Sequence, residues 1–247
     1  SYAFNNCSSL ENINLENLKT FNEYVLSNTA IKELNINATS IKEGAFANMK
    51  ELTTLNVLVN EIAPYAFRNN TKLVNAIVNA KTIGEYAFEN CTSLNNLTLE
   101  NTIDILEGAF KNCTGLVNVV SNTVKNIRDY AFTGCKNIES IHFDNVENIG
   151  NYAFGTLDTQ AANKLTEINF GDNLTTIGEY AFYGSTLVTN IKLGKGILSI
   201  GAFAFSNLTS LETVTINSDL ETISECLFAN DALLKAANIS GIKVVEG

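Results

Sequence analysis

Tryptophan is absent from this sequence of 247 residues, and proline, methionine and histidine occur once each. Only two of the 16 basic residues are arginine, Arg68 and Arg128, and the single histidine is His142. So thin a supply of histidine and arginine starves most acid–base, phosphoryl-transfer and zinc mechanisms. The basic residues stand against 26 acidic ones, and the formal charge of −10 disfavours nucleic acid as a partner. No apolar run approaches the ~18 residues that cross a bilayer, so direct membrane insertion is not expected. Hydrophobic residues make up 45% and charged ones 17%, too apolar a mixture for disorder. The length suffices for one sizeable core and is short for two ordinary domains.

What the chain has in excess is asparagine, 36 residues. Asn tolerates left-handed backbone and bonds its own neighbouring main chain, which places it at tight turns. Many asparagines with almost no proline imply many turns of one kind, and so a repeat.

The repeat is there. A Phe recurs at Phe4, Phe46, Phe67, Phe88, Phe110, Phe132, Phe154, Phe182, Phe205 and Phe228, with Leu26 in the second place, making eleven copies. Spacings run from 20 to 23 residues, apart from 28 between Phe154 and Phe182. Ala precedes the Phe in nine copies. Five residues before it runs a second column, Phe21, Ile41, Ile62, Ile83, Ile105, Ile127, Ile149, Ile177, Ile200 and Ile223. Two residues before it lies a mostly aromatic column, Tyr2, Tyr24, Tyr65, Tyr86, Tyr130, Tyr152, Tyr180 and Phe203. Beyond the Phe comes L-x-x-L-x-L, as in Leu94, Leu97 and Leu99, whose alternation marks a strand with one buried face.

One such unit cannot bury its own apolar residues. Stacked units can, because equivalent side chains then form continuous ladders through the interior. At the ~4.8 Å strand spacing, the copies would span roughly 50 Å. The Tyr-Ala-Phe-x-Asn segment is too short for a long helix, and a turn or two of helix is expected there. The Ile column is expected in a short extended segment at the back.

The pattern I-G-x-Y-A-F-x-N-C-T-S-L-x-x-L-x-L, seen from Ile83 to Leu99, Ile105 to Val119 and Ile177 to Leu193, resembles the BspA-type leucine-rich repeats. The resemblance covers essentially the whole chain. It implies an α/β, right-handed leucine-rich-repeat solenoid of about eleven repeats, with a parallel sheet on one face and short helical turns opposite. Members of that family are commonly secreted from or displayed on bacterial and protozoan cells, where several act as adhesins. The resemblance therefore implies an extracellular or cell-surface location. It carries no catalytic motif and no cofactor. The leucine-rich-repeat Asn after the strand is irregular here, so no asparagine ladder is expected.

Residues 1–247 read as a single solenoid domain. The chain opens at Ser1-Tyr2-Ala3-Phe4, inside a repeat, with no charged and then apolar leader, so a fragment without a signal peptide is expected. The long spacing comes from extra residues near 155–164, read as a surface insertion that costs little loop entropy. Gly241 to Gly247 reads as a worn repeat or the start of a linker.

Candidate chemistry is sparse. Cys7, Cys91, Cys113 and Cys135 all fall three residues after the Phe, in a slot elsewhere filled by Thr29, Met49, Leu157, Ser185 and Leu208. That set reads as interior packing, and parallel side-chain vectors suit a disulfide poorly. Cys226 takes the aromatic column instead. No C-x-x-C pair exists and His142 stands alone, so no metal site is expected. Nine N-x-[ST] sequons largely restate the repeat and the composition. Gly194-Lys195-Gly196 reads as a turn, lacking the spacing of a phosphate loop.

What remains is the outward face of the strands. Alternation places three columns there: Asn14 through Ile77, Thr98, Val120 and His142 to Asn238; Asn12 to Ala236; and Glu16 through Leu58 and Asn79 to Ser240. The face is polar and lightly charged. Leu58, Ile77 and Val120 interrupt it near the middle, bordered by Asn79, Thr98 and His142. These six are the candidate partner-binding residues. The leading functional expectation is a non-enzymatic, monomeric interaction module that binds a protein or glycan on a host or neighbouring cell. A second is a structural spacer that displays another domain. A third, an enzyme of the β-helix polysaccharide-lyase kind, needs clustered carboxylates with Arg or Lys, whereas the face carries dispersed acids and Lys192 alone.

Overall fold

The computed structural model describes residues 1–158, 162–218, 220, 222–240 and 244–245. The chain winds as a parallel β-solenoid of about ten turns. Each turn contributes a longer front strand and a two-residue back strand, and all recorded pairings are parallel. The back strands form a nine-stranded sheet in sequence order, from Thr20–Phe21 to Ser199–Ile200. Its register sets Ile62 beside Ile83, Ile83 beside Ile105, and Ile105 beside Ile127, so the second sequence column is one buried ladder from Phe21 to Ile200.

The front strands fall into three blocks. Glu33–Asn37, Thr54–Leu58, Asn75–Asn79 and Asn96–Glu100 make the first. Asn118–Ser121 pairs with Ser140–Phe143, and the third block runs from Glu167–Phe170 to Ala236–Ile239. Alternate residues point inward, for example Leu55 and Val57 with Thr54, Asn56 and Leu58 facing out. The expected alternation holds.

Between the sheets runs the phenylalanine stack. From Phe46 to Phe182 consecutive rings lie 5.2–5.3 Å apart, within 4–13° of parallel. The stack continues at 5.8 Å through Phe205 to Phe228. Each fully buried ring contributes on the order of 1.5–3 kcal/mol by leaving water. The long spacing does not interrupt it: Phe154 still meets Phe182 at 5.2 Å, and Ile149 still pairs with Ile177. The extra residues near 155–164 therefore leave both ladders in register, and residues 159–161 of that segment lie outside those described. At the other end Val244–Val245 pairs in parallel with Thr222–Ile223, as a back strand does. The rest of 241–247 lies outside the described residues.

The expected helical turns are not found. Among the described residues there is no helix, so the molecule is a β-solenoid rather than an α/β one. The reason lies in two left-handed residues per turn. Tyr86 has φ 52° and Asn90 φ 59°, and the same pair of positions is left-handed at Tyr24 and Asn28, Tyr65 and Asn69, and Phe203 and Asn207. Residues at positive φ break a right-handed helix. The intervening N–H groups then alternate. Those of Ala87 and Glu89 close local turns onto Gly84 and Tyr86, while those of Tyr86, Phe88 and Asn90 reach Glu107, Ala109 and Lys111 on the next turn. The same alternation recurs at the turns of Tyr24, Tyr65, Gly108 and Phe203, whose N–H groups are thus satisfied without a helix.

Candidate functional site

The front face is built from the outward half of the alternating side chains on each front strand. Register places Ile77 between Asn56 and Thr98, and Leu58 between Asn37 and Asn79. Val120 pairs with His142 in the next block. Thr98 and Val120 belong to different blocks yet line one shallow depression with Leu97 and Asn118. A second depression holds Leu58 and Asn79 with Asn35, Asn56, Glu16 and Glu100. All six sequence-predicted residues thus lie on the same face, in two adjoining groups.

Their exposure differs usefully. Leu58, Ile77 and Val120 are 45%, 43% and 56% exposed. Thr98 and His142 are exposed as well. Asn79 is half-buried, and both ends of its amide are engaged: it donates to Glu100 at 3.1 Å and accepts from Asn101 at 3.1 Å. Neighbouring polar groups are tied across strands in the same way, Asn96 to Asn75 at 2.6 Å and Ser140 to Asn118 at 2.5 Å. These polar side chains are already held across strands, and the three apolar side chains stand exposed beside them.

Elsewhere the polar ladders are structural. Asn112 donates to Asn90, Asn90 to Asn69, and Asn69 to Asn48, at 2.9–3.1 Å. An asparagine ladder does exist, two residues after the Phe rather than after the strand. It stops at Gly134, where a Cβ would lie 2.2 Å from the Asn112 oxygen. The tyrosine column skips Gly44 and Gly108, because the rings of Tyr24 and Tyr86 lie over them, and a Cβ would meet those rings at 2.2 and 2.4 Å. The hydroxyls of Tyr24 and Tyr86 donate to Glu43 and Glu107, which with burial pushes both phenols above their ordinary range.

The slot three residues after the Phe is more particular than the sequence suggested. Cys91, Cys113 and Cys135 are free, buried thiols, each donating to the Phe carbonyl one turn back at 3.1–3.2 Å. Burial pushes the Cys135 thiol up to about 12 and raises Cys113 strongly. Cys7 and Cys226 are exposed instead. Leu157 does not fill the slot but is 66% exposed, and the buried Asn163 further along bonds the Phe154 carbonyl and Ser185. Asn70 and Asp231 also occupy this slot, a fact that reading it as small or apolar missed. The signal was available, since both stand three residues after a motif Phe.

Among the described residues no group of three His, Cys, Asp or Glu side chains could hold a metal ion, and no helix is long and apolar enough to cross a membrane.

Comparison with known proteins places the architecture. The model of the BspA type Leucine rich repeat region matches, in six copies, over residues 1–82, 60–163 and 160–246. A leucine-rich repeat protein from Bacteroides ovatus aligns with 96% of this chain and 73% of its own, at 22% identity and a TM-score of 0.65. One from Eubacterium ventriosum aligns with 97% of this chain and 63% of its own, at 17% identity and a TM-score of 0.50. A leucine rich cell surface protein from Faecalibacterium prausnitzii covers 91% of this chain and 79% of its own, at 21% identity and a TM-score of 0.46. At these identities the likeness concerns fold. No curated protein matches the sequence.

Proposed function

We propose, because the chain belongs to the BspA-type leucine-rich repeat family, that it serves as a non-enzymatic interaction module working outside the cell or on its surface. In this reading all 247 residues act as one rigid scaffold. The front face docks a protein partner over the turns that carry Leu58, Ile77 and Val120. The observation that carries this is their exposure of 45%, 43% and 56% near the middle of the face, beside side chains tied across strands at Asn79, Asn96 and Ser140. Side chains already tied across strands lose little freedom on binding, and desolvated central positions carry most of an interface's energy.

A protein is favoured over a glycan because the three outward columns hold no Trp, Tyr or Phe on which a sugar ring could stack. Acidic residues at Glu16, Glu33, Glu100, Asp144 and Glu167, against Lys192, fit a partner with a basic rim. The extracellular location rests on the family resemblance.

The test begins with proteins captured by the immobilised chain and identified by mass spectrometry. The same purified protein is then titrated against the parent, Ile77→Glu and Val120→Glu. Loss of binding with an unchanged thermal transition is the expected result. Equal affinity for all three sinks the site. The spacer reading is favoured by one observation, the near-parallel ring stack from Phe46 to Phe228 that stiffens the long axis. It gains if the isolated chain captures nothing.

A further inference from the structure

The slot three residues after each motif Phe poses a definite hydrogen-bonding demand, and Asp231 meets only part of it. At Asn70 the demand is met in full. Its Oδ1 accepts the Met49 N–H at 2.7 Å, and its Nδ2 donates to the Phe46 carbonyl at 3.1 Å. At Cys91, Cys113 and Cys135 the thiol supplies the same donor to Phe67, Phe88 and Phe110. Asp231 holds the equivalent place one turn after Phe205. Its Oδ1 accepts the Leu208 N–H at 2.8 Å, as Asn70 does for Met49. Its Oδ2, where Asn70 has the amide nitrogen, is buried with no hydrogen-bonding partner. The Phe205 carbonyl accepts no backbone N–H among the described residues. A carboxylate cannot donate; a carboxylic acid can.

We propose that Asp231 is a proton-operated latch on the turns from Phe205 to Ile239: protonated, it fills the slot as asparagine does, and ionised, it leaves a buried charge and an orphaned carbonyl that loosen those turns. The inference is independent of partner binding on the front face. Burial pushes the Asp231 carboxyl up to about 7, opposed only by the Leu208 N–H. The other titratable side chains on these turns are Glu212, Glu225, Cys226 and Lys235 among the described residues. Glu212 and Lys235 hold each other at 3.2 Å, and Glu225 and Cys226 are exposed, so none neutralises the carboxylate.

The sign follows from proton linkage. A native value above that of the unfolded chain means the native state holds the proton longer. The stabilisation tied to Asp231 is full below the unfolded value of about 4 and is lost as pH rises toward the native value.

The experiment compares the parent with Asp231→Asn at pH 5 and pH 8, by thermal melting and by amide hydrogen exchange over residues 205–239. Asparagine is already accommodated in this slot at Asn70, so the variant keeps the packing. At pH 8 it should melt a few degrees above the parent and exchange more slowly over these turns; at pH 5, part-way between the unfolded and native values, the gap should be clearly smaller. Taking the difference cancels the carboxylates elsewhere that acid also titrates. A second variant, Asn70→Asp, should import the same pH dependence into the turns around Phe46 and Phe67. If the parent and Asp231→Asn differ equally at both pH values, or if Asn70→Asp shows no pH dependence, the latch is wrong.

Discussion

Phe110 has Phe88 on one side at 5.2 Å and Phe132 on the other at 5.3 Å, and it is fully buried. Truncation to Ala removes both stacking contacts and leaves a cavity that a ladder fixed by main-chain pairing cannot close. A loss of about 3–5 kcal/mol in urea unfolding is expected, with hydrogen exchange speeding first on the turns of Phe88 and Phe132. A cost under about 1 kcal/mol would mean the stack relaxes. The cysteines divide by burial. With the Cys135 thiol up to about 12, the reactive thiolate is scarce at neutral pH. Thiol reagents should add only to Cys7 and Cys226 in the native chain, and to Cys91, Cys113 and Cys135 after denaturation, as read by intact mass. Reductant should leave the melting temperature unchanged. At this scale the apolar slots were legible because nothing but burial explains a Phe at a fixed period. Asn70 and Asp231 were not, since a polar residue in an inward slot reads as an exception until its hydrogen bonds are seen.

The turn with two left-handed residues is the element that distinguishes this solenoid. Gly134 has φ 77° and ends the asparagine ladder; the atom facing its absent Cβ is the end of the flexible Asn112 side chain. Gly134→Asn should therefore be tolerated, with Asn112 turning to accept the new amide as Asn90 accepts its own. Gly134→Ala brings a Cβ to the same left-handed position with no bond in return, at roughly 1 kcal/mol. Melting should rank Asn above Ala; the reverse order would show that the ladder contributes nothing. The asparagine excess announced turns of one kind, and part of it is there, at Asn28, Asn48, Asn69, Asn90, Asn112 and Asn207; other asparagines, such as Asn56 and Asn96, face outward from the front strands. It did not announce that the Tyr position is left-handed as well, because tyrosine has no preference for that conformation and takes it here with its ring stacked on the next turn, as Tyr130 stacks on Tyr152 at 5.3 Å. That second left-handed residue is what removes the expected helix.

Across the molecule, contacts join residues about one repeat apart, as in the pairing of Ile83 with Ile105. Removing one whole period, residues 84–105, lets Ile83 stand where Ile105 stood. Such a chain should keep its far-UV spectrum and a cooperative transition at a lower temperature, whereas removing residues 84–94 should abolish the transition. The architecture was legible at this scale because eleven copies outvote any local ambiguity. The three-block division of the front sheet was not, since strand alternation continues unchanged across the breaks, as Thr98 and Val120 both face outward. For the same reason the exposure of Leu58, Ile77 and Val120 could be read from alternation, whereas the split that seats Val120 with His142 could not. The alternating N–H groups of the turns, Tyr86, Phe88 and Asn90 among them, reach forward to the next turn, so their hydrogen bonds lie along the long axis. Tension between the two ends of the chain loads these bonds singly, as in unzipping, and never all together in shear. Each turn that lets go adds roughly 70 Å of contour length while the remainder stays wound. Under a pulling load the solenoid behaves as an extensible tether that yields in equal steps and rewinds from its intact end when the load falls.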